Sequence, residues 1–224
     1  RPCKTYAVNE EADYYSDNLR IIDGWMMFDF HAGEQTVEFA WQIPGTHNVE
    51  NATAAIAVLH NLGADFTALQ EGISSFKGIK RRYTKHTFEN GKIYVDDYAH
   101  HPTELNAVIG SIRTFNPNKK LLVAFQPHLF SRTRDFAEGF AESLAAADEL
   151  LLLDIYPARE LQKDFEGVTS DWLLEKVQLE KKEVCSLSEA FDKIKEKDFD
   201  ILLTVGAGNI DTLYDPIMNW LGSN

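Results

Sequence analysis

Three runs constrain this chain more than any other feature: KLLVAF at 120–125, ELLLLDI at 149–155 and DILLTV at 200–205. Each is apolar at nearly every position, whereas a strand with one wet face alternates apolar and polar residues. Such strands belong in a parallel sheet covered by helices on both faces. The stretches between them supply the cover. Helices are predicted at 102–115, 133–147, 170–178, 187–196 and 209–221, with a further short strand near KEVCS (182–186). In the first helix Leu105, Val108, Ile109 and Ile112 fall at i, i+3, i+4 and i+7, and Pro102 takes the favoured first helical position. Burying each of those four side chains is worth roughly 1.5–3 kcal/mol, so they build core. YTKHTFENGKIYVDD reads as a hairpin turning at Asn90-Gly91. From residue 79 onward the pattern therefore predicts an α/β fold, doubly wound and mostly parallel, that opens on an antiparallel hairpin.

Residues 1–78 follow another rhythm. TYAV, GWMMFDF and TVEFAWQI read as strands, the last two joined by the turn-like HAGEQ. PGTHNVENATAAIAVLHNLGAD follows as a helix, with Ala52, Ala55, Ile56 and Leu59 on one face and Gly63 as its stop. A second short helix, TALQEGISSF, leads to KGIKRRY, which places a boundary near residue 78.

Composition narrows the partners. With 22 Lys plus Arg against 35 Asp plus Glu the formal net charge is −13, which argues against a general nucleic-acid or anionic-membrane surface. Positive charge at any anion site must be local. The longest apolar run, LLLLDIY from Leu150, is too short to span a bilayer, and no basic-then-apolar leader opens the chain. Cys3 and Cys185 lack metal-type spacing and read as two unpaired thiols in a reducing cytoplasm. The chain begins RPCKTYAV, without a methionine, and reads as a fragment or a processed product.

Ligands of open parallel sheets bind outside the carboxyl ends of the strands. Those ends are informative here. KIYV is followed by Asp96, Asp97, Tyr98, Ala99, His100 and His101, and LLVAF by Gln126, Pro127, His128, Leu129, Phe130, Ser131 and Arg132. LLLL is followed by Asp154, Tyr156, Arg159 and Glu160, and ILLTV by Gly206, Ala207, Gly208 and Asn209. Four consecutive loops with polar, ionisable or Gly-rich sets on one rim predict a site.

Several motifs stay open at this level. TVGAGNI can cradle phosphate with backbone N–H groups or can simply be a tight strand-to-helix turn. The only Gly-Lys, Gly91-Lys92, lies in the hairpin turn, so the chain contains no GxxxxGK[ST] phosphate loop. Arg81 and Arg82 are either a solvated basic turn or an anion site. GTHNVEN can be ordinary helix capping. Asp96, Asp97, His100, His101 and His128 have the chemistry of a metallohydrolase centre as well as that of a nucleotide or acid/base site.

Taken in order, PGTHNVENATAAIAV, GIKRRY, VDDYAHHPTEL, FQPHLFSRTRDF, LLLLDIYPARE and TVGAGNID resemble the Mur ligases over essentially the whole chain. The forms DDYAHHPTE and FQPH…SRTR are specific to the branch that joins L-alanine to UDP-N-acetylmuramate, with the murein-peptide recycling ligase as the alternative within the superfamily. The resemblance implies three domains, of which this chain carries the C-terminal part of the central ATP-binding domain (1–78) and a complete C-terminal Rossmann-like domain (79–224). It implies ATP and Mg²⁺ as cofactors, with the phosphate loop, the metal ligands and the UDP-sugar pocket upstream of Arg1. Residue by residue, Asn48 and Asn51 match the asparagines near adenine, Arg82 the arginine that reaches the ATP phosphates, and Asp97 the acid on the ribose hydroxyls. His100, His128 and Arg132 match positions around the incoming amino acid, while Leu129 stands where some relatives have a second arginine. Arg82 and His100 are the implied catalytic groups, and no metal ligand is implied within this chain.

The implied reaction phosphorylates the lactyl carboxylate with ATP, after which the L-alanine amine displaces phosphate. Such chemistry is largely positioning and charge stabilisation. A guanidinium suits phosphate and carboxylate, and an ionised carboxylate suits a ribose diol. In this family domain closure assembles the site.

Overall fold

The computed structural model describes residues 3–43 and 45–223. The chain divides into two compact units, Arg1–Gly78 and Ile79–Asn224.

In the first unit four strands, β1 (Tyr6–Val8), β2 (Tyr14–Ile22), β3 (Trp25–Ala32) and β4 (Gln35–Trp41), form one sheet in chain order. Strand β1 runs parallel to β2, and the rest are antiparallel. Strand β3 shows why this is a sheet with one covered face: Met26, Phe28 and Phe30 are buried and alternate with less buried neighbours. The Phe28 and Phe39 rings stack at 5.7 Å, and Phe30 meets Phe39 edge-on at 5.9 Å. Helices α1 (Thr46–Asn61) and α2 (Phe66–Ser75) pack over β1–β2 and β4 respectively. Thr53, buried in α1, donates to Val49 O at 2.7 Å and therefore accepts from Ser16 at 2.6 Å.

Strand β2 was not legible in the sequence. YYSDNLRII lacks clean alternation because its register shifts between Asp17 and Arg20, with Asn18 at φ 49. The start of α1 also differs from a side-chain cap: Gly45, at φ 106, is the N-cap and no side-chain cap bond forms. Pro44 lies outside the described residues.

The second unit holds six strands: β5 (Thr84–Thr87), β6 (Ile93–Asp97), β7 (Leu121–Phe125), β8 (Glu149–Leu153), β9 (Lys182–Cys185) and β10 (Ile201–Val205). Their order is β5-β6-β10-β7-β8-β9, parallel except for the β5–β6 hairpin. The fold is therefore α/β with a mostly parallel sheet entered through an antiparallel hairpin, as its sequence pattern predicts. Gly91 adopts φ 81 in the hairpin loop, where Lys92 N–H also bonds the Asn90 side chain. Every residue of β6, β7 and β10 is buried, including the polar Asp96, Asp97 and Thr204 at the carboxyl ends of β6 and β10, as strands covered on both faces require.

Helices flank this sheet: α3 (Pro102–Phe115), α4 (Phe130–Asp135), α5 (Ala137–Leu144), α6 (Ser170–Lys176), α7 (Leu187–Glu196) and α8 (Tyr214–Gly222). One face packs Tyr94, Leu122, Leu151 and Leu202 against Ala190 and Ile194 of α7 and Ile217 and Leu221 of α8. Alternate residues of the same strands point to the other face, where the Phe125 ring meets Phe140 of α5 at 5.5 Å.

Two helices differ from expectation. The segment 133–147 divides at Phe136 into α4 and α5, which turns the Phe136 ring edge-on to His101 at 4.5 Å. The segment 209–221 opens as a 3₁₀ turn, Asn209–Leu213, before α8 begins. Pro216 then falls within the first turn of α8, where its missing N–H costs nothing; one helix from residue 209 would have put it in the interior.

Candidate functional site

Strand register brings the four loops onto one rim. Val205 of β10 pairs with Asp97 of β6 on one side and with Phe125 of β7 on the other, and Phe125 pairs with Leu152 of β8. The loops leaving these four adjacent strands therefore start level. The β7 and β8 loops stay joined beyond the sheet: Leu129 N–H donates to Tyr156 O at 2.9 Å, and Tyr156 N–H donates to Pro127 O at 2.8 Å.

Asp97, only 9% exposed, closes β6. Its Oδ2 accepts from Tyr83 N–H and its Oδ1 from Ala99 N–H, both at 2.7 Å. Burial raises its pKa above the usual carboxylate range, against the pull of those two donors and of Arg82. Each oxygen keeps a second lone pair, so the group can still accept from outside.

The Tyr83 bond ties Asp97 to the turn carrying the paired arginines. Arg81 (φ 62) and Tyr83 (φ 50) are both left-handed, a conformation that costs non-glycine residues about 1–3 kcal/mol each and persists only where surroundings enforce it. The two arginines of this turn have separate fates. Arg81 donates through Nη2 to Gly206 O at 2.7 Å, stands 3.3 Å from Asp211 through Nη1, and lies over the Tyr98 ring at 4.8 Å. Arg82 is exposed, and among the described residues its guanidinium has a ring contact with Tyr98 at 5.7 Å but no ion pair. A doubled arginine in the sequence thus resolves into one internal clamp and one outward group.

Asp96 points to the opposite face from Asp97, as successive residues of a strand must. It is 1% exposed and accepts from the Thr204 hydroxyl at 2.7 Å, and Thr204 is 2.8 Å from the Tyr94 hydroxyl. Burial raises its pKa as well. Its Oδ2 lies 3.9 Å from Arg81 Nε, and neither atom has a hydrogen-bond partner. His101, the other residue of this segment without a role in the sequence reading, caps α3: its Nδ1 accepts from Thr103 N–H while Glu104 accepts from the His100 and His101 amides.

The remaining rim residues meet one another. His100 Nδ1 is 3.0 Å from Tyr98 O; a carbonyl only accepts, so Nδ1 carries the proton and Nε2 is the acceptor of the neutral ring. The His100 and His128 rings are 6.2 Å apart, and His128 stacks on Tyr156 at 5.6 Å. Arg132, one turn along α4, brings Nη1 to 3.4 Å from His128 Nδ1. Burial, then the positive charge of Arg132, lowers the His128 pKa, which favours the neutral ring with its proton on Nε2. Leu129, at φ 72, is the N-cap of α4, and Ser131 of that helix is held by Glu160 from the β8 loop.

The glycines of TVGAGNI have a packing role. A Cβ on Gly206 would stand 2.6 Å from Gln126 O, and one on Gly208 would strike the Gln126 side chain and come within 2.8 Å of Tyr156 Cβ. Gln126, 3% exposed, donates to the Asn209 side chain at 2.8 Å and accepts from Ile210 N–H at 2.9 Å. The motif is a tight turn locked to the neighbouring loop. A tight strand-to-helix turn was one of the two readings open in the sequence, whereas the close packing on Gln126 behind it was not readable there.

Among the described residues no group of three or more His, Cys, Asp or Glu is placed to hold a metal ion. Nor is any helix among them long and apolar enough to cross a membrane. Both cysteines are free, Cys3 exposed and Cys185 buried. In the first unit Asn48 and Asn51 are three residues apart on α1, hence on one side of it. Asn51 borders an apolar groove of about 400 Å³, lined by Trp41, Ala55, Leu59, Leu69 and Ile73 among others.

Comparison with known proteins accounts for this combination. The family model described as "Mur ligase, glutamate ligase domain" matches residues 81–208. The chain is 44% identical over 219 residues to the UDP-N-acetylmuramate--L-alanine ligase of Flavobacterium johnsoniae, covering 97% of this chain and 48% of that protein. It is 45% identical over 215 residues to the ligase of the same name from Cytophaga hutchinsonii, covering 95% and 46%. The solved UDP-N-acetylmuramate-alanine ligase of Thermotoga maritima superposes with a TM-score of 0.79 at 25% identity, covering 99% of this chain and 48% of that one. The chain thus spans about half the length of the relatives it matches. On the family match and the strength of these relationships, the chain belongs to the Mur ligase family.

Proposed function

We propose that this chain supplies the nucleotide-ribose and amino-acid side of an ATP-dependent ligase that joins L-alanine to UDP-N-acetylmuramate in peptidoglycan precursor synthesis. In this reading residues 1–78 are the C-terminal part of a central ATP-binding domain and residues 79–224 the family's C-terminal domain. The observation that carries it is the rim register: Asp97 at the end of β6 and the His128–Arg132 pair beyond β7 flank the β10 loop on one rim of the sheet. The identity to L-alanine ligases supports the choice of substrates.

The donors and acceptors fit a nucleoside triphosphate. Asp97 has free lone pairs for two ribose hydroxyls, and the exposed Arg82 guanidinium is the right group for phosphate oxygens. In the first unit, taken by itself, Asn48 and Asn51 are the residues proposed for adenine, and the apolar groove that Asn51 borders suits the face of a purine. Among the described residues no group of three or more His, Cys, Asp or Glu is placed to hold Mg²⁺.

ATP transfers a phosphoryl group to the lactyl carboxylate, the L-alanine amine attacks the acyl carbon, and phosphate departs with its bonding electrons. Arg82 neutralises charge on the phosphate oxygens during both steps. Arg132 holds the amino-acid carboxylate. Neutral His128 beside it can donate from Nε2, and His100 offers Nε2 as an acceptor to the amine.

The test is phosphate release by a full-length enzyme carrying this chain. Release that requires ATP, UDP-N-acetylmuramate and L-alanine together is expected. Release with the tripeptide of murein recycling and not with L-alanine would transfer the chain to that alternative branch.

A further inference from the structure

Adjacent arginines with identical chemistry occupy opposite situations in the turn at 79–83. Arg82 faces outward between two left-handed residues, Arg81 and Tyr83. An unstrained turn would let Arg82 swing, so its direction depends on what enforces those two conformations. The backbone ties are Arg81 N–H to Thr84 Oγ1 (2.9 Å), Tyr98 N–H to Arg81 O (2.8 Å), Arg82 N–H to Ile79 O (2.9 Å) and Tyr83 N–H to Asp97 Oδ2 (2.7 Å). The side-chain tie is Arg81. Its fork reaches the end of β10 at Gly206 O and the 3₁₀ turn at Asp211, its Nε faces the buried Asp96, and its plane lies over Tyr98.

We infer that Arg81 is a positioning residue of the ligase: it clamps the 79–83 turn to the rim and thereby fixes the Arg82 guanidinium toward the nucleotide phosphates. This rests on the proposed role of Arg82. The geometry explains why two arginines are needed in sequence. One charge is spent inside the protein, on carbonyl and carboxylate oxygens, so that the next is held in one place with its donors unspent. A lysine at 81 would supply the charge but not the fork, since a single ammonium cannot serve Gly206 O, Asp211 and Asp96 from one position.

A double-mutant cycle in a full-length enzyme carrying this chain tests the inference, with kcat and the KM values for ATP and amino acid measured for Arg81→Met, Arg82→Met and both together. If Arg81 acts through Arg82, Arg81→Met lowers kcat by roughly 10-fold or more, leaves the amino-acid KM within about 2-fold, and adds less than about 2-fold once Arg82 is methionine. Arg81→Lys and the milder Asp211→Asn carry the same test should Arg81→Met fail to fold, with smaller losses that likewise vanish in the Arg82→Met background. Equal losses in both backgrounds, or an equal rise in the amino-acid KM, overturn the positioning role while the Arg82 reading stands. Unchanged ATP kinetics in Arg82→Met alone overturn that reading and this inference with it.

Discussion

The main-chain N–H of Tyr83 donates to Asp97 Oδ2 at 2.7 Å, so the carboxylate that ends β6 also anchors the turn carrying Arg82. Ribose and phosphate recognition, as proposed, share one fixed group. Asp97→Ala removes acceptors from the Tyr83 and Ala99 amides, each unsatisfied buried donor costing about 1–3 kcal/mol. Urea unfolding of the 224-residue chain is expected to show that loss. In a full-length enzyme the same substitution should weaken ATP binding by about 1.5–3 kcal/mol, the range for hydrogen bonds to a charged group. Unchanged nucleotide affinity in calorimetry would remove the ribose role.

Asp96 gives a pH prediction. Burial raises its folded-state pKa above 3.8, so the folded chain holds the proton more tightly than the unfolded one. The resulting stabilisation is complete below 3.8 and is lost as pH rises through the folded value. Asp96→Asn cannot ionise and should lose less stability than the parent chain between acid and neutral pH. Urea midpoints measured across that window decide it; parallel profiles for the two proteins would refute the assignment.

Glycines on the rim and in the helices should respond oppositely to alanine. Gly206→Ala puts a Cβ against Gln126 O at φ +145, and Gly208→Ala puts one against Gln126 and Tyr156. Each is expected to destabilise by about 1–3 kcal/mol, the cost of overpacking. Gly110, inside α3 with open space around it, should instead gain about 0.5–1 kcal/mol as alanine. Thermal melts of the three variants test this contrast.

Arg132→Ala in a full-length enzyme is expected to raise the amino-acid KM at least about 10-fold while moving the ATP KM far less, because its guanidinium stands with His128 and not with the Arg82 turn. Steady-state kinetics with each substrate varied would show it. Equal rises in both KM values would separate Arg132 from the amino acid.

Much of the architecture follows from local chemistry. The apolar run at 121–125 and the run at 201–205, apolar but for Thr204, suit strands buried on both faces of a covered parallel sheet, and that is where they lie. Leu105, Val108, Ile109 and Ile112 fall on the buried face of α3 for the same reason of periodicity. Strand β2 escaped because a register shift at Asp17–Arg20 breaks the two-residue period on which strand reading depends. The division at 209–213 escaped because a 3₁₀ turn and the first turn of an α-helix share composition.

The sequence by itself determined which residue types leave the carboxyl ends of four strands, and parallel pairing made it certain that those ends would share a rim. It could not assign them. Arg81 and Arg82 are chemically identical neighbours, and only the tertiary contacts to Gly206, Asp211 and Asp96 spend one and leave the other outward. Asp96 and Asp97 are separated by strand alternation, but the Thr204 hydroxyl on one side and the Tyr83 amide on the other come from distant sequence. Periodicity acts along the chain, whereas charge pairing and close packing act across it, so the second could be decided only by the fold.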